Sequence, residues 1–174
     1  MLQFSCLLLA LLAAGCVSTK RNTATVYHPL DGLRTDLITD NPLDSGPNPR
    51  ELVWLNASRV FRTESYYEYY LEATYAARAE TGYLDIGPGP NLVIIADGKE
   101  LTFTTLGSMN SRKSRGGLIN ETALFQTEPA QILAFANAQK VTVKLIGRNG
   151  TVVREFNQAN FERFRQFAQK FIPK

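Results

Sequence analysis

Apolar and polar side chains alternate without a break between Tyr66 and Arg78. Tyr67, Tyr69, Leu71, Ala73, Tyr75 and Ala77 fall on one side of an extended chain, and Tyr66, Glu68, Tyr70, Glu72, Thr74 and Arg78 on the other. A two-residue period predicts a half-buried strand. A helix template also matches through Tyr66, Tyr69, Tyr70, Ala73 and Ala77, but the strand preference of tyrosine favours the extended form. LVWLNASRVFR (52–62) reads as the preceding strand, and GLINETALFQT (117–127) as a later one. Two further stretches carry hairpin signals. In 91–106 an Asp97-Gly98 pair separates two apolar runs, and in 140–156 Asn149-Gly150 does the same. Two-residue hairpin turns need positive φ, which these residue types tolerate. In the second stretch Val141, Val143 and Leu145 alternate with Thr142, Lys144 and Ile146.

The period changes twice to that of a helix. TEPAQILAFANA (127–138) opens with Thr127 or Glu128 as cap and places Pro129 in the first turn, where its missing N–H does no harm. The final helix follows Asn157, a good N-cap. Phe161, Phe164, Ala168 and Phe171 form its apolar stripe, opposite Glu162, Arg163, Arg165, Gln166 and Lys170. The expected fold is α+β: an antiparallel sheet of about six strands with two helices packed on one face, in the order βββ-β-α-ββ-α. The sheet needs such a cover to bury its apolar side.

Ahead of this body, residues 17–50 hold Pro29, Pro42, Pro47 and Pro49 among Gly, Ser, Thr, Asn and Asp. That composition suits turns and extended chain, and as a flexible coil it would reach roughly 30 Å. YHPLDGL and DLITDNPL are less polar than a pure linker, which leaves docking on the body open. Further upstream, LLLALLAAGC (7–16) has no polar face. Met1 to Val17, interrupted by Gln3 and Ser5, is near the lower limit for a membrane span of about 20 residues, but Cys6 to Ala14 suits a secretory apolar region followed by the small residues Ala13, Ala14 and Gly15. An uncleaved signal anchor is the competing reading.

Ala13-Ala14-Gly15-Cys16 after Leu12 resembles the lipobox of bacterial lipoproteins, with Ala13 where that family usually has leucine. The resemblance implies a signal peptide at 1–15, acylation (palmitate among the chains) of Cys16, a tether over 16–50 and a periplasmic domain over 51–174. The body is similar to small, uncharacterised envelope lipoproteins of proteobacteria. Several acyl chains on one residue would hold stably without a spanning helix, since a single chain binds only marginally. Val17 after the cysteine, in place of the aspartate that favours inner-membrane retention, implies the outer membrane.

Charge adds one exclusion. Nineteen Lys and Arg against 16 Asp and Glu leave +3, far from the basic stripe expected of a nucleic-acid binder. With Cys6 removed in the signal and Cys16 acylated, no thiol or disulfide would remain. His28 is the lone histidine, beside Pro29, so neither a metal site nor a Ser-His-Asp arrangement is expected, and no cofactor is implied. Glu68 and Glu72 on one strand would stand roughly 13 Å apart, too far for a glycosidase pair. No catalytic residue is therefore assigned. Two candidate binding features remain. Arg112, Lys113 and Arg115 lie in a glycine-containing connection that could meet a phosphate, an anionic head group or an acidic partner. Tyr66 and Tyr70 share the second face of their strand; tyrosines outside a core are frequent in binding surfaces, whereas helices packed on that face would make both core residues. The expected function is a non-enzymatic, lipid-anchored envelope module that holds a partner protein. A carrier or sensor of a small or lipidic ligand, cupped between sheet and helices, is the alternative, and a wall or lipid hydrolase is the least favoured.

Overall fold

The computed structural model describes residues 22–28, 33–43, 50–63 and 66–173. The apolar signal segment and Cys16 lie outside the described residues. Among them the chain forms β1 (Thr23–Tyr27), β2 (Arg34–Ile38), β3 (Glu51–Thr63), β4 (Tyr66–Arg78), β5 (Gly89–Ala96), β6 (Lys99–Thr105), β7 (Ser111–Arg115), β8 (Leu118–Thr127), α1 (Pro129–Ala136), β9 (Val141–Gly147), β10 (Gly150–Glu155) and α2 (Gln158–Phe171). The α+β class is as expected, but the arrangement is not one sheet of about six strands. Ten strands among the described residues form two antiparallel sheets, β1-β2-β3-β4-β8-β7 and β10-β9-β5-β6.

The division follows from strand saturation. β4 pairs with β3 along one edge and with β8 along the other, so neither edge is left for the two later hairpins. Those hairpins pair with each other through β5 and β9 and build a second layer. The inner faces of both layers and the apolar sides of both helices meet in one continuous core. The alternation read from 66–78 is reproduced: Tyr69, Leu71, Ala73, Tyr75 and Ala77 are buried, while Tyr66 and Arg78 are exposed. α2 packs against β2 and β3, and α1 against β5 and α2. Phe135 of α1 and Phe164 of α2 meet edge to face at 5.1 Å, and Phe156 stacks on Phe164 at 5.2 Å. Phenylalanine rings thus occupy the space between sheet and helices where the carrier alternative would place its ligand.

Three strands lie where loop or leader is expected. β1 and β2 belong to the segment read as tether, and β7 to the segment read as a flexible connection. The reason is chemical. β2 buries a charged residue, so apolar alternation does not announce it. Asp36, fully buried, accepts from Thr25 Oγ1 at 2.6 Å, from Arg59 Nη2 at 2.7 Å and from Arg34 Nη2 at 3.1 Å. Arg59 also donates to the Phe171 carbonyl at 2.8 Å and lies over the rings of Phe61, Tyr67 and Phe171. This one guanidinium joins the leader, the wide sheet and the end of α2.

A second buried polar link fastens residues 40–43. Asn160, in the first turn of α2, donates to Asn41 Oδ1 and to the Pro42 carbonyl, both at 2.8 Å. Asn41 donates in turn to the Leu55 carbonyl at 2.7 Å. Asn157 caps α2 as expected, and Asn160 completes a reciprocal capping box with it. Replacing Asn160 by alanine removes the link and the half of the capping box that its side chain supplies, leaving the Asn157 amide and the Pro42 carbonyl without these partners, while the Asn157 cap on the residue-160 amide remains. The expected loss is about 2–3 kcal/mol, read by chemical denaturation.

The turn residues are partly as read. Asp97 and Gly98 form the β5–β6 turn, both at positive φ, and the Asp97 carboxylate accepts from the amides of Gln139 and Lys140. The β9–β10 turn is shifted by one residue from the expected Asn149-Gly150. Gly147 faces Gly150, and Arg148 and Asn149 make the loop. The shift places a glycine where the backbone of Leu84 passes: a Cβ on Gly147 would stand 1.9 Å from the Leu84 carbonyl oxygen.

Residues 83–88 consequently strap the two sheets together. On one side Arg148 and Asn149 donate their amides to the Asp85 and Leu84 carbonyls. On the other, the buried Glu121 of β8 accepts from the amides of Asp85 and Ile86 at 2.8 and 2.7 Å, and from Arg112 Nε at 2.9 Å.

Candidate functional site

The inner face of the six-stranded sheet is consumed by the core. Its outer face carries the even-numbered side chains of β3, β4 and β8, and the strand pairings set them in rows: Ser58 beside Tyr70 beside Gln126, Asn56 beside Glu72 beside Leu124. The outer face of an antiparallel sheet is ordinarily polar. Here Leu37, Val60 and Leu124 interrupt the polar rows and floor a groove of about 390 Å³. Segments flanking the sheet add His28, Leu33 and Met109 to its lining. A second recess of about 330 Å³ continues from it toward Leu106 and Gln126. Tyr70, Met109 and Leu124 line both, so Tyr70 sits where the two recesses meet.

The polar end of the groove is pre-organised. Glu68 Oε2 accepts from the Tyr70 hydroxyl at 2.7 Å and from Arg62 Nε at 2.8 Å, and the Tyr66 hydroxyl reaches Oε1 at 3.4 Å. The Tyr70 and Arg62 hydrogen bonds hold the Glu68 carboxyl below the usual carboxylate range despite some burial. Burial, and then the bond to Glu68, push the Tyr70 phenol up. Near neutral pH the pair is therefore a carboxylate and a neutral hydroxyl donor, fixed in orientation. That is an arrangement for recognition.

Tyr66 and Tyr70 thus lie together on the outer face, Tyr66 more than half exposed. The three cations do not act together. Arg112 points to the inner side, where it is engaged by Glu121 and Asp85 and lies over the Tyr83 ring. Lys113 and Arg115 alternate with it onto the outer side. The reason is strand geometry: successive side chains of β7 point to opposite faces, which a flexible loop would not impose. Cys16 lies outside the described residues. His28 Nε2 is 3.5 Å from Thr35 Oγ1, at the limit of a hydrogen bond, and among the described residues no carboxylate orients the ring. No group of three or more His, Cys, Asp or Glu among the described residues is placed to hold a metal ion.

The contributions of His28, Leu33, Leu37 and Met109 were not legible as site residues. They come from segments with no local strand signal, whereas Val60, Tyr70 and Leu124 sit in runs that announce themselves. No helix among the described residues is long and apolar enough to cross a membrane. No protein family, curated protein or solved structure matches the chain.

Proposed function

We propose that this chain is a lipid-anchored, non-catalytic interaction module of the bacterial envelope. Cys16 holds it at the outer membrane with the domain facing the periplasm, and the outer face of the six-stranded sheet receives a partner protein. The observation that carries the reading is the groove centred on Tyr70: an apolar floor on a sheet face that is otherwise free to be polar, beside a rigid Arg62–Glu68–Tyr70 cluster. Its open shape favours a protein over a small ligand, because ligand pockets enclose most of their occupant. The lipobox-like stretch ending at Cys16 supports the anchor.

Two measurements test the two halves. The intact mass of the membrane-extracted protein is expected to show a chain beginning at Cys16 with acyl chains attached, and Cys16→Ser to abolish both that mass and the processing. Crosslinking in whole cells is expected to give one dominant protein adduct, reduced at least tenfold by Leu124→Asp with the melting temperature little changed. An adduct indifferent to Leu124→Asp and to Tyr70→Ala would sink the groove as the binding surface.

A further inference from the structure

We propose that the free edge of β7 takes up an acidic, extended segment of a partner protein as an added strand. The inference deepens the reading as an interaction module and does not depend on the lipid anchor. β7 ends the six-stranded sheet, and among the described residues no strand pairs with its outer side. All five of its residues are exposed, and it carries neither proline nor bulge. A bare edge is a template for another chain, and the shortness and cationic side chains of β7 blunt it toward most strands while leaving it open to an acidic one. Strand addition supplies affinity through main-chain hydrogen bonds and selectivity through alternate side chains.

The charge on this edge selects the occupant. Arg112 is held by Glu121 and Asp85, which fixes β7 in place against β8 and the strap. Lys113 and Arg115 share the outer side, two residues apart, and have no acidic partner among the described residues. A strand laid beside β7 would set every second residue opposite this pair, and acidic side chains there are favoured. A second copy of β7 is disfavoured, because an antiparallel pair centred on Lys113 sets that lysine against itself. The intervening positions would face the Arg112 side, where Ile86, Pro88, Gly107 and Asn110 line a shallow recess of about 400 Å³. The segment that fits alternates acidic and apolar residues.

The test uses the full chain in a non-ionic detergent and a fluorescent ten-residue peptide of alternating glutamate and valine. Fluorescence anisotropy is expected to show saturable binding that weakens in high salt. Lys113→Glu with Arg115→Glu is expected to lower affinity at least tenfold and to transfer binding to the lysine–valine counterpart. Methylating every second peptide nitrogen is expected to abolish binding in one register and spare the other, since alternate N–H groups of a strand point to opposite edges. Loss of binding in neither register would reduce the contact to charge attraction and overturn the proposal. So would equal binding of a shuffled peptide. Leu124→Asp is expected to leave peptide binding unchanged, so failure at the edge and failure of the groove are separately visible.

Discussion

Glu121→Ala is expected to lower stability by about 4 kcal/mol and the melting temperature by roughly 10 °C. The carboxylate is fully buried and serves three donors: the amides of Asp85 and Ile86 and the guanidinium of Arg112. Its loss strands two main-chain donors, at about 1–3 kcal/mol each, and leaves Arg112 held by Asp85 alone. The consequence reaches beyond the site. Residues 83–88 are bonded to β8 through Glu121 and to the β9–β10 turn through Leu84 and Asp85 carbonyls. Releasing one end loosens the contact between the sheets. Hydrogen exchange at the amides of Asp85 and Ile86 is therefore expected to accelerate by more than the global loss of stability explains. Glu121→Gln is expected to fall between the two chains, because one oxygen is replaced by a donor facing donors. A Glu121→Ala protein that melts within about 2 °C of the parent would show that the strap contributes little.

The second large effect is at Arg59, where replacement by methionine is expected to cost about 3–5 kcal/mol near neutral pH. Methionine keeps much of the packing against Phe61, Tyr67 and Phe171 but leaves Asp36 buried with only Arg34 and Thr25. The pH dependence identifies the cause. In the parent, burial alone would raise the Asp36 carboxyl, and hydrogen bonds from Thr25, Arg59 and Arg34 outweigh it and hold the group below its ordinary value. A carboxylate lowered in the folded state contributes stability above its unfolded pKa, and that contribution is lost as pH falls through the folded value. Without Arg59 one of the bonds that offset burial is gone, the folded carboxyl rises relative to the parent, and the variant gains stability relative to the parent on acidification. The gap between the two chains is thus expected to be widest near pH 7 and to narrow toward pH 3, as measured by urea denaturation across that range. Adding Asp36→Asn to Arg59→Met is expected to recover part of the loss, since no charge is then buried unpaired. A gap that stays constant with pH would assign Arg59 a packing role only.

Both predictions fall on residues that the sequence did not single out. Arg59 and Glu121 lie in phase with the apolar faces of their strands, but their charge argues against burial, and nothing local marks Asp36 or Asn160 as buried. Each is placed by a partner far along the chain: Asp36 by Arg59, Asn160 by Asn41, Glu121 by the amides of Asp85 and Ile86. Burial of a polar group becomes visible only once its partner is known. The candidate site was readable to the same degree. The alternation in β4 put Tyr66 and Tyr70 on one face, because the pleat converts it into sidedness, but which face the helices and second sheet cover was decided only by the fold. The groove they border could not be read, because five of its eleven lining residues lie at 28–37 and 109. Arg112 is separated from Lys113 and Arg115 because residues 111–115 are a strand, which their polar sequence does not announce.

By itself the sequence determined the elements held by short-range physics. These are the long strand of alternating tyrosines, the positive-φ turn at Asp97-Gly98, the helix begun by Asn157 and the phenylalanine stripe that buries it. It also determined the α+β class, since those elements leave apolar faces that need cover. Tertiary structure alone decided that the strands divide into two sheets, that the leader supplies β1 and β2, and that Arg112 parts company with Lys113 and Arg115. Those outcomes rest on which strands are neighbours, and pairing energy is gained between segments whose separation along the chain carries no local signature.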